Sequence, residues 1–318
     1  MVGAVVPGAP RTVQQAEPDR RRHPGGPARE ARRGGVVNVD AAGSSGLVHA
    51  RPSTSRIYNY LLGGENWFGV DAEAARAIVR SAPDAPDVAR ENLRFAGRAA
   101  GWAVAEHGLR QVLDIGVGIV TGIPIPSVEE CVKAADPDAV VVAYDHDEMV
   151  RQHAKVLRPG YGGVLSGDVT DLDTIFCNPD AAGLLDMFEP AAVVLAAVLH
   201  FVPSPAAVMA GLRRRLAPGS VVILSHATSS RADGGRVAAM TRAYQGATGQ
   251  IRFRTYEEIL ALADGWDIVT PPGLVDVQRW SVDGSRDGAV SETVRVLGMA
   301  AVLPGKRRLL ARTRGGAS

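Results

Sequence analysis

From about residue 110 onward, short apolar runs alternate with stretches whose apolar residues recur at helical spacing. The runs predict strands at 110–115 (RQVLDI), 140–145 (VVVAYD), 163–166 (GVLS), 192–198 (AVVLAAV), 220–226 (SVVILSH), 266–270 (WDIVT) and 292–299 (ETVRVLGM). Several are continuously apolar, which suits parallel strands buried on both faces. Helical periodicity predicts helices at 127–135, 147–157, 205–216, 236–247 and 255–263. This alternation implies an α/β fold with a doubly wound, mostly parallel sheet and right-handed crossovers. Residues 281–291 (SVDGSRDGAVS) are turn-rich rather than helical, so the last two strands should pair antiparallel.

Before residue 110 the pattern changes. The stretch STSRIYNYLLGGENWFGVD (53–71) gathers Tyr58, Tyr60, Trp67 and Phe68 within eleven residues of a chain with only 16 aromatics. A short helix, a break at Gly63 and Gly64, and a loop account for it. Asp71 then reads as the N-cap of a helix over 72–81, and a second helix runs from about Asp87 to His107. Residues 51–108 are therefore expected to form a helical lid, and 109–303 the sheet domain. Residues 1–50 hold no aromatic and two arginine clusters, Arg20–Arg22 and Arg32–Arg33. They bury too little apolar surface to offset ordering entropy and read as a disordered tail. Residues 304–318 read as a basic C-terminal tail.

Composition narrows the function classes. The chain has 318 residues, 46% hydrophobic and 22% charged, as in ordinary globular proteins. A net charge of +1 gives no global field for nucleic acid or membrane. No apolar run approaches the ~20 residues that span a bilayer, and the opening MVGAVVPGAP lacks the basic start of a secretion signal. Two cysteines, Cys131 and Cys177, are too few for a disulfide framework or a metal cluster. A cytoplasmic protein without a metal is the expectation; the oligomeric state is left open.

Candidate chemistry lies beyond the carboxyl ends of the strands, where open α/β sheets bind ligands. In VLDIGVGIVTGIPIPSVEE (112–130), Gly116, Gly118 and Gly122 allow positive φ and close backbone approach. Their spacing is G-x-G-x-x-x-G, not the dinucleotide fingerprint G-x-G-x-x-G. Ser127 and Glu130 form a capping box that starts the next helix near 128. Asp114, two positions before Gly116, would repel a pyrophosphate but suits an ammonium group. Asp145 ends the second strand, where an acid can take both ribose hydroxyls. Asp168, in SGDVTD (166–171), can accept from an adenine amine while Val169 offers apolar contact. Plainer roles exist for each alone: Asp145 as a helix cap, a role Asp147 could fill instead, and Asp168 as a turn residue. Together, acids after three successive strands fit a zwitterionic, phosphate-free adenosine ligand such as S-adenosylmethionine.

At these residues the chain resembles class I S-adenosylmethionine-dependent methyltransferases. More narrowly, it is similar to the actinobacterial S-adenosyl methyltransferase family once catalogued as a domain of unknown function, DUF574. The resemblance covers about 52–300 and is carried by SRIYNYLLGGENWFGVD, LDIGVGIVT, VVAYDHDEMV, LSGDVTD, VLHFVP, LAPGSVVILSHAT and PGLVDVQRW. It implies a Rossmann-like sheet with one antiparallel strand near the C-terminus, capped by N-terminal helices, and S-adenosylmethionine as cofactor. It adds Tyr58, Gly63, Gly64 and His146 to the expected cofactor set. The chain departs from the family at Val117, usually threonine or serine, through IVT and 127–130, and at Trp67.

Methyl transfer needs a base only if the nucleophile must lose a proton. His200, just after the fourth strand, and His226, at the end of the fifth, are the catalytic candidates; for each, a hydrogen-bonded structural histidine is the plainer and preferred reading. Arg254 and Arg279 could hold an anionic substrate or lie on the surface. The leading expectation is methyl transfer to a small molecule rather than nucleic acid. The alternatives are an NAD(P)-dependent oxidoreductase, for which Asp145 lies 23 residues beyond Gly122, and a regulatory protein that binds S-adenosylmethionine without transferring its methyl group.

Overall fold

A computed structural model describes residues 51–120, 122–157 and 163–305. The expected tail 1–50 lies outside the described residues, as does 304–318 apart from Pro304 and Gly305. The strands are β1 (Gln111–Ile115), β2 (Val140–Asp145), β3 (Val164–Ser166), β4 (Ala192–Leu195), β5 (Val221–Thr228), β6 (Asp267–Ile268), β7 (Val275–Asp276) and β8 (Arg295–Val302). They form one sheet ordered β3-β2-β1-β4-β5-β8-β6, with β7 also pairing β8. The five strands from β3 to β5 are parallel, and β8 runs antiparallel to β5, β6 and β7. Every residue of β1, β4 and β5 is buried. Both faces of these strands are covered, which is why their sequences are continuously apolar rather than alternating.

The helices are α1 (Thr54–Leu62), α2 (Gly69–Ser81), α3 (Ala85–His107), α4 (Val128–Ala135), α5 (Glu148–Leu157), α6 (Asp173–Phe176), α7 (Pro205–Arg215), α8 (Gly234–Ala243) and α9 (Tyr256–Leu260). The Ser127–Glu130 capping box is present, and α4 begins at 128 as its spacing predicts. Asp147 stands just before α5 and accepts from the Met149 N–H at 2.9 Å. The long α3 covers one face of the sheet. Its Phe95 is fully buried over Gly298, where a Cβ would come within 2.8 Å of the ring. Burial of such a side chain contributes about 1.5–3 kcal/mol.

Several boundaries differ from the sequence expectation, for identifiable reasons. Asp71 is not an N-cap: α2 starts two residues earlier, at Gly69. The Asp71 carboxylate reaches back instead, accepting from the N–H groups of Phe68 and Ser53 at 2.8 Å each and pairing with Arg56 at 2.6 Å. The fourth strand stops at Leu195 rather than 198, because the Ala197 N–H turns aside to the Ser225 hydroxyl at 2.8 Å. Ala197 has a φ of 58°, and a 3-10 turn follows at Leu199–Phe201. The last strand starts at 295 rather than 292, since the N–H groups of Glu292 and Thr293 are held by Asp84 at 2.9 and 3.0 Å. Of the expected strand 266–270 only Asp267–Ile268 forms a strand. α8 ends at Ala243 rather than 247, and α9 gives way to a 3-10 turn at Ala261–Ala263.

The N-terminal helices are tied to the sheet domain at their first residues. The Ser53 hydroxyl donates to Asp147 at 3.0 Å, and the Thr248 N–H donates to the Pro52 carbonyl at 2.9 Å. These bonds set α1 over the carboxyl ends of the strands.

Candidate functional site

Where β1 to β4 end beneath α1 and α3 lies a cavity of about 320 Å³. One of its ends is polar and built by turns. After β1 the chain is pulled across the edge of β2, as the Gly116 N–H donates to the Tyr144 carbonyl at 2.7 Å. Gly116 has a φ of +75°, and a Cβ there would meet Val198 at 2.6 Å. Gly118, φ +66°, has no protein atom within 4 Å of where its Cβ would be. Gly116 thus serves packing, whereas Gly118 leaves room beside the cavity.

Asp145 closes β2 and is 3% exposed. One carboxylate oxygen accepts from the Gly118 N–H at 3.0 Å and the other from the Asp147 N–H at 2.9 Å. Burial pushes its carboxyl above the usual range, against these two donors and the nearby His146, which pull it down. Each oxygen has capacity for one further donor, so the carboxylate can take two adjacent hydroxyls. Asp114, within β1, is 8% exposed and lines the same cavity. Asp168 follows β3 in a turn: its carboxylate accepts from the Thr170 N–H at 2.8 Å and hydroxyl at 2.7 Å. Val169, beside it, is buried.

Of the residues singled out from sequence, Tyr58, Asp114, Gly116, Gly118, Asp145, His146, Asp168, Val169 and His200 come together around this cavity. Gly63, Gly64 and His226 do not line it. Gly63 ends α1 with a φ of 90°. Gly64 packs against the Asn59 amide, which would collide with any side chain there. Their influence passes through Asn59, whose Nδ2 donates to the Ile119 carbonyl at 2.9 Å and so ties α1 to the glycine turn.

The two histidines are held differently. His226 is completely buried, its Nδ1 lies 2.7 Å from the Ala227 carbonyl, and its Nε2 lies 2.6 Å from the Arg254 guanidinium. Arg254 can only donate, so the ring is neutral with its proton on Nδ1. Burial, helped by Arg254, lowers its pKa to about 4. His200 Nδ1 accepts from the Ala227 N–H at 3.4 Å. Burial, then His226 and Arg254, hold its pKa well below the ordinary histidine value. With Nδ1 accepting, the neutral ring carries its proton on Nε2 and offers a donor, not a base. Arg254 also donates to the carbonyls of Leu199 and Val202, and Arg279 to that of Gly288.

Sequence reasoning missed a polar chain that closes the cavity. The Tyr58 hydroxyl donates to the Ala89 carbonyl at 3.0 Å and accepts from Asn92 Nδ2 at 2.9 Å. Asn92 Oδ1 in turn accepts from the Ser225 hydroxyl at 2.5 Å, and Ser225 holds Ala197. Burial pushes the Tyr58 phenol up to about 12 despite the Asn92 bond. Asn92 shares its helical face with apolar Val88 and Phe95, so spacing alone marks it as core. Tyr244 and Phe201 were missed too, Tyr244 in a segment read only by helical period and Phe201 in VLHFVP, where only His200 was singled out.

Among the described residues no group of metal-ligating side chains is found, and no helix is long and apolar enough to cross a membrane. No curated protein matches the chain. Solved structures do. A putative methyltransferase from Thermobifida fusca YX is 26% identical with a TM-score of 0.72, over 82% of this chain and 98% of that one. A DUF574 family protein from Streptomyces avermitilis MA-4680 is 28% identical with a TM-score of 0.71, over 80% and 99%. Nothing in these comparisons supports the nicotinamide-dependent or the non-catalytic alternative. Residues 40–304 match the model of the S-adenosyl methyltransferase family, and the chain belongs to that family, as a methyltransferase whose cofactor is S-adenosylmethionine.

Proposed function

We propose that the chain methylates a small molecule enclosed beneath α1–α3, with the cofactor at the polar end of the cavity. One observation carries this reading: Asp114, Gly118, Asp145 and Asp168 from three successive strand ends line a single cavity roofed by the N-terminal helices. When bound, S-adenosylmethionine supplies an electrophilic methyl carbon. The protein's part is alignment. Asp114 is suited to the ammonium of the methionine end, Asp145 to the two ribose hydroxyls, and Asp168 with Val169 to the adenine. Gly118 gives the clearance these contacts need. Asn59 and Ser53 hold α1 against the turns after β1 and β2, which keeps water from the reacting atoms. His226 takes no proton, since both ring nitrogens are engaged; His200 orients by donation. A small acceptor also fits the charge, because among the described residues no lysine or arginine lines the cavity, whereas nucleic-acid enzymes present basic surfaces.

The test is incubation of the full-length protein with methyl-labelled S-adenosylmethionine and cell extract, followed by size fractionation. Label is expected in the low-mass fraction. Label confined to RNA, DNA or protein would refute the small-acceptor reading.

A further inference from the structure

The end of the cavity away from the strand-end acids is of a different character. Leu61, Ile78, Met240, Ile251, Val294 and Val296 contribute to its wall and belong to one hydrophobic cluster. Among the described residues the charged side chains lining the cavity are carboxylates, never a lysine or arginine. An acceptor bearing a carboxylate or phosphate would lose its hydration there without gaining a counter-charge.

Within this apolar wall stands a polar atom without a protein partner among the described residues. Tyr244 is 6% exposed and lines the cavity, yet its hydroxyl has no hydrogen bond among the described residues. Tyr58 nearby contrasts with it, having both a donor and an acceptor partner. Buried hydroxyls are rarely left unpaired. The Tyr244 ring packs on Phe201 at 5.5 Å, and Phe201 on His200 at 4.4 Å, so flat surfaces line the approach to that hydroxyl.

We propose that the acceptor is an uncharged, largely apolar ring compound whose hydroxyl pairs with the Tyr244 hydroxyl. This rests on the methyl-transfer reading above. Burial, together with Tyr58, raises the Tyr244 pKa, so the phenol stays protonated and serves as a hydrogen-bonding anchor, not as a base.

The experiment uses full-length protein saturated with S-adenosylhomocysteine and three probes followed by ligand-observed NMR: 4-ethylphenol, ethylbenzene and 4-hydroxyphenylacetate. 4-Ethylphenol should bind at least about tenfold more tightly than the carboxylate and about three- to tenfold more tightly than the hydrocarbon. In Tyr244→Phe the second margin should vanish, with ethylbenzene and S-adenosylhomocysteine affinities unchanged within about twofold. Carboxylate binding as tight as the phenol, no binding of the phenol, or a phenol margin that survives Tyr244→Phe would each overturn the proposal. The wild-type margins need no variant, so a misfolded mutant does not spare it. Wild-type protein that fails to bind S-adenosylhomocysteine would refute the methyl-transfer reading itself; normal cofactor binding with failed probe selectivity refutes the acceptor class alone.

Discussion

Asp145→Asn separates the charge of this side chain from its shape. Asp145 is buried, and its two oxygens already hold the N–H groups of Gly118 and Asp147 at 3.0 and 2.9 Å. In the proposed role both oxygens also take ribose hydroxyls. Hydrogen bonds to charged groups are worth about 1.5–3 kcal/mol and neutral ones about 0.5–1.5. Loss of charge then removes about 1 kcal/mol per hydroxyl, or about 2 kcal/mol in all, a roughly 30-fold rise in Kd. The amide also presents NH2 where the carboxylate presented an acceptor, so one backbone N–H loses its partner. That costs about 1–3 kcal/mol of stability, offset in part because a buried charge is gone. Calorimetric titration with S-adenosylhomocysteine reads the binding, and circular dichroism confirms the fold. A folded variant that binds within threefold of wild type would refute the ribose role.

Acidification should give the same group two opposite signatures. Burial raises the folded-state pKa of Asp145 above its unfolded value. Between the two values the folded state binds the proton more readily than the unfolded state, so the stability of the cofactor-free protein from this group increases as pH falls. Above the folded value the ionised, buried carboxylate exerts its full penalty. In the proposed ribose role, cofactor affinity runs the other way, since protonation removes an acceptor. Affinity should therefore begin to fall at a pH above that expected of an ordinary carboxylate, and Asp145→Asn should flatten that limb.

Other substitutions separate packing from binding. Asp71→Ala leaves Arg56, 2% exposed, without its buried partner, and should cost about 3–5 kcal/mol in urea denaturation; a loss below about 1 kcal/mol would show that water compensates Arg56. Gly116→Ala should destabilise the fold through its collision with Val198, while Gly118→Ala should cost only about 1 kcal/mol for its positive φ and act mainly on S-adenosylhomocysteine affinity; equal stability losses would contradict this division. His200 should stay neutral through the ordinary histidine range, with a flat imidazole NMR shift there, because its pKa lies well below the ordinary value; a midpoint near 6.5 that disappears in His200→Gln would contradict its burial.

Much of the sheet was legible because burial on both faces writes itself as unbroken apolar runs. β1, β2, β4 and β5 were each found to within a few residues for that reason, and the antiparallel last pair followed from a connection too polar and turn-rich for a helix. Boundaries failed where a side chain competes with the ladder. Ser225 takes the Ala197 N–H and ends β4 early, and Asp84 captures the residues before β8. No local pattern announces a partner so distant in sequence. β7, two residues long, is shorter than any period can register. The positions of the acids around the cavity were legible because strand ends fix them one by one. Asn92, Phe201 and Tyr244 were not, since their roles depend on which elements the fold brings together.

The two ends of the cavity differ in how they are specified, and the same bonds join them. Asp147 gives its N–H to Asp145 and accepts the Ser53 hydroxyl that starts α1. Asp145 also holds Gly118, and the adjoining Ile119 carbonyl is held by Asn59 from the same helix. Asp145 and α1 are therefore two hydrogen bonds apart along either route. Ordering one favours the other, because any ligand that fixes Asp145 and Gly118 also fixes the groups that seat α1. The acceptor end needs no comparable polar scaffold. Its walls include side chains of α1, α2, α8 and β8 that belong to one hydrophobic cluster, and the Tyr244 hydroxyl offers a hydrogen-bonding site there. Cofactor binding should thus set the geometry of the roof, while in the proposed reading the shape and polarity of the acceptor would be judged by the residues of the apolar end.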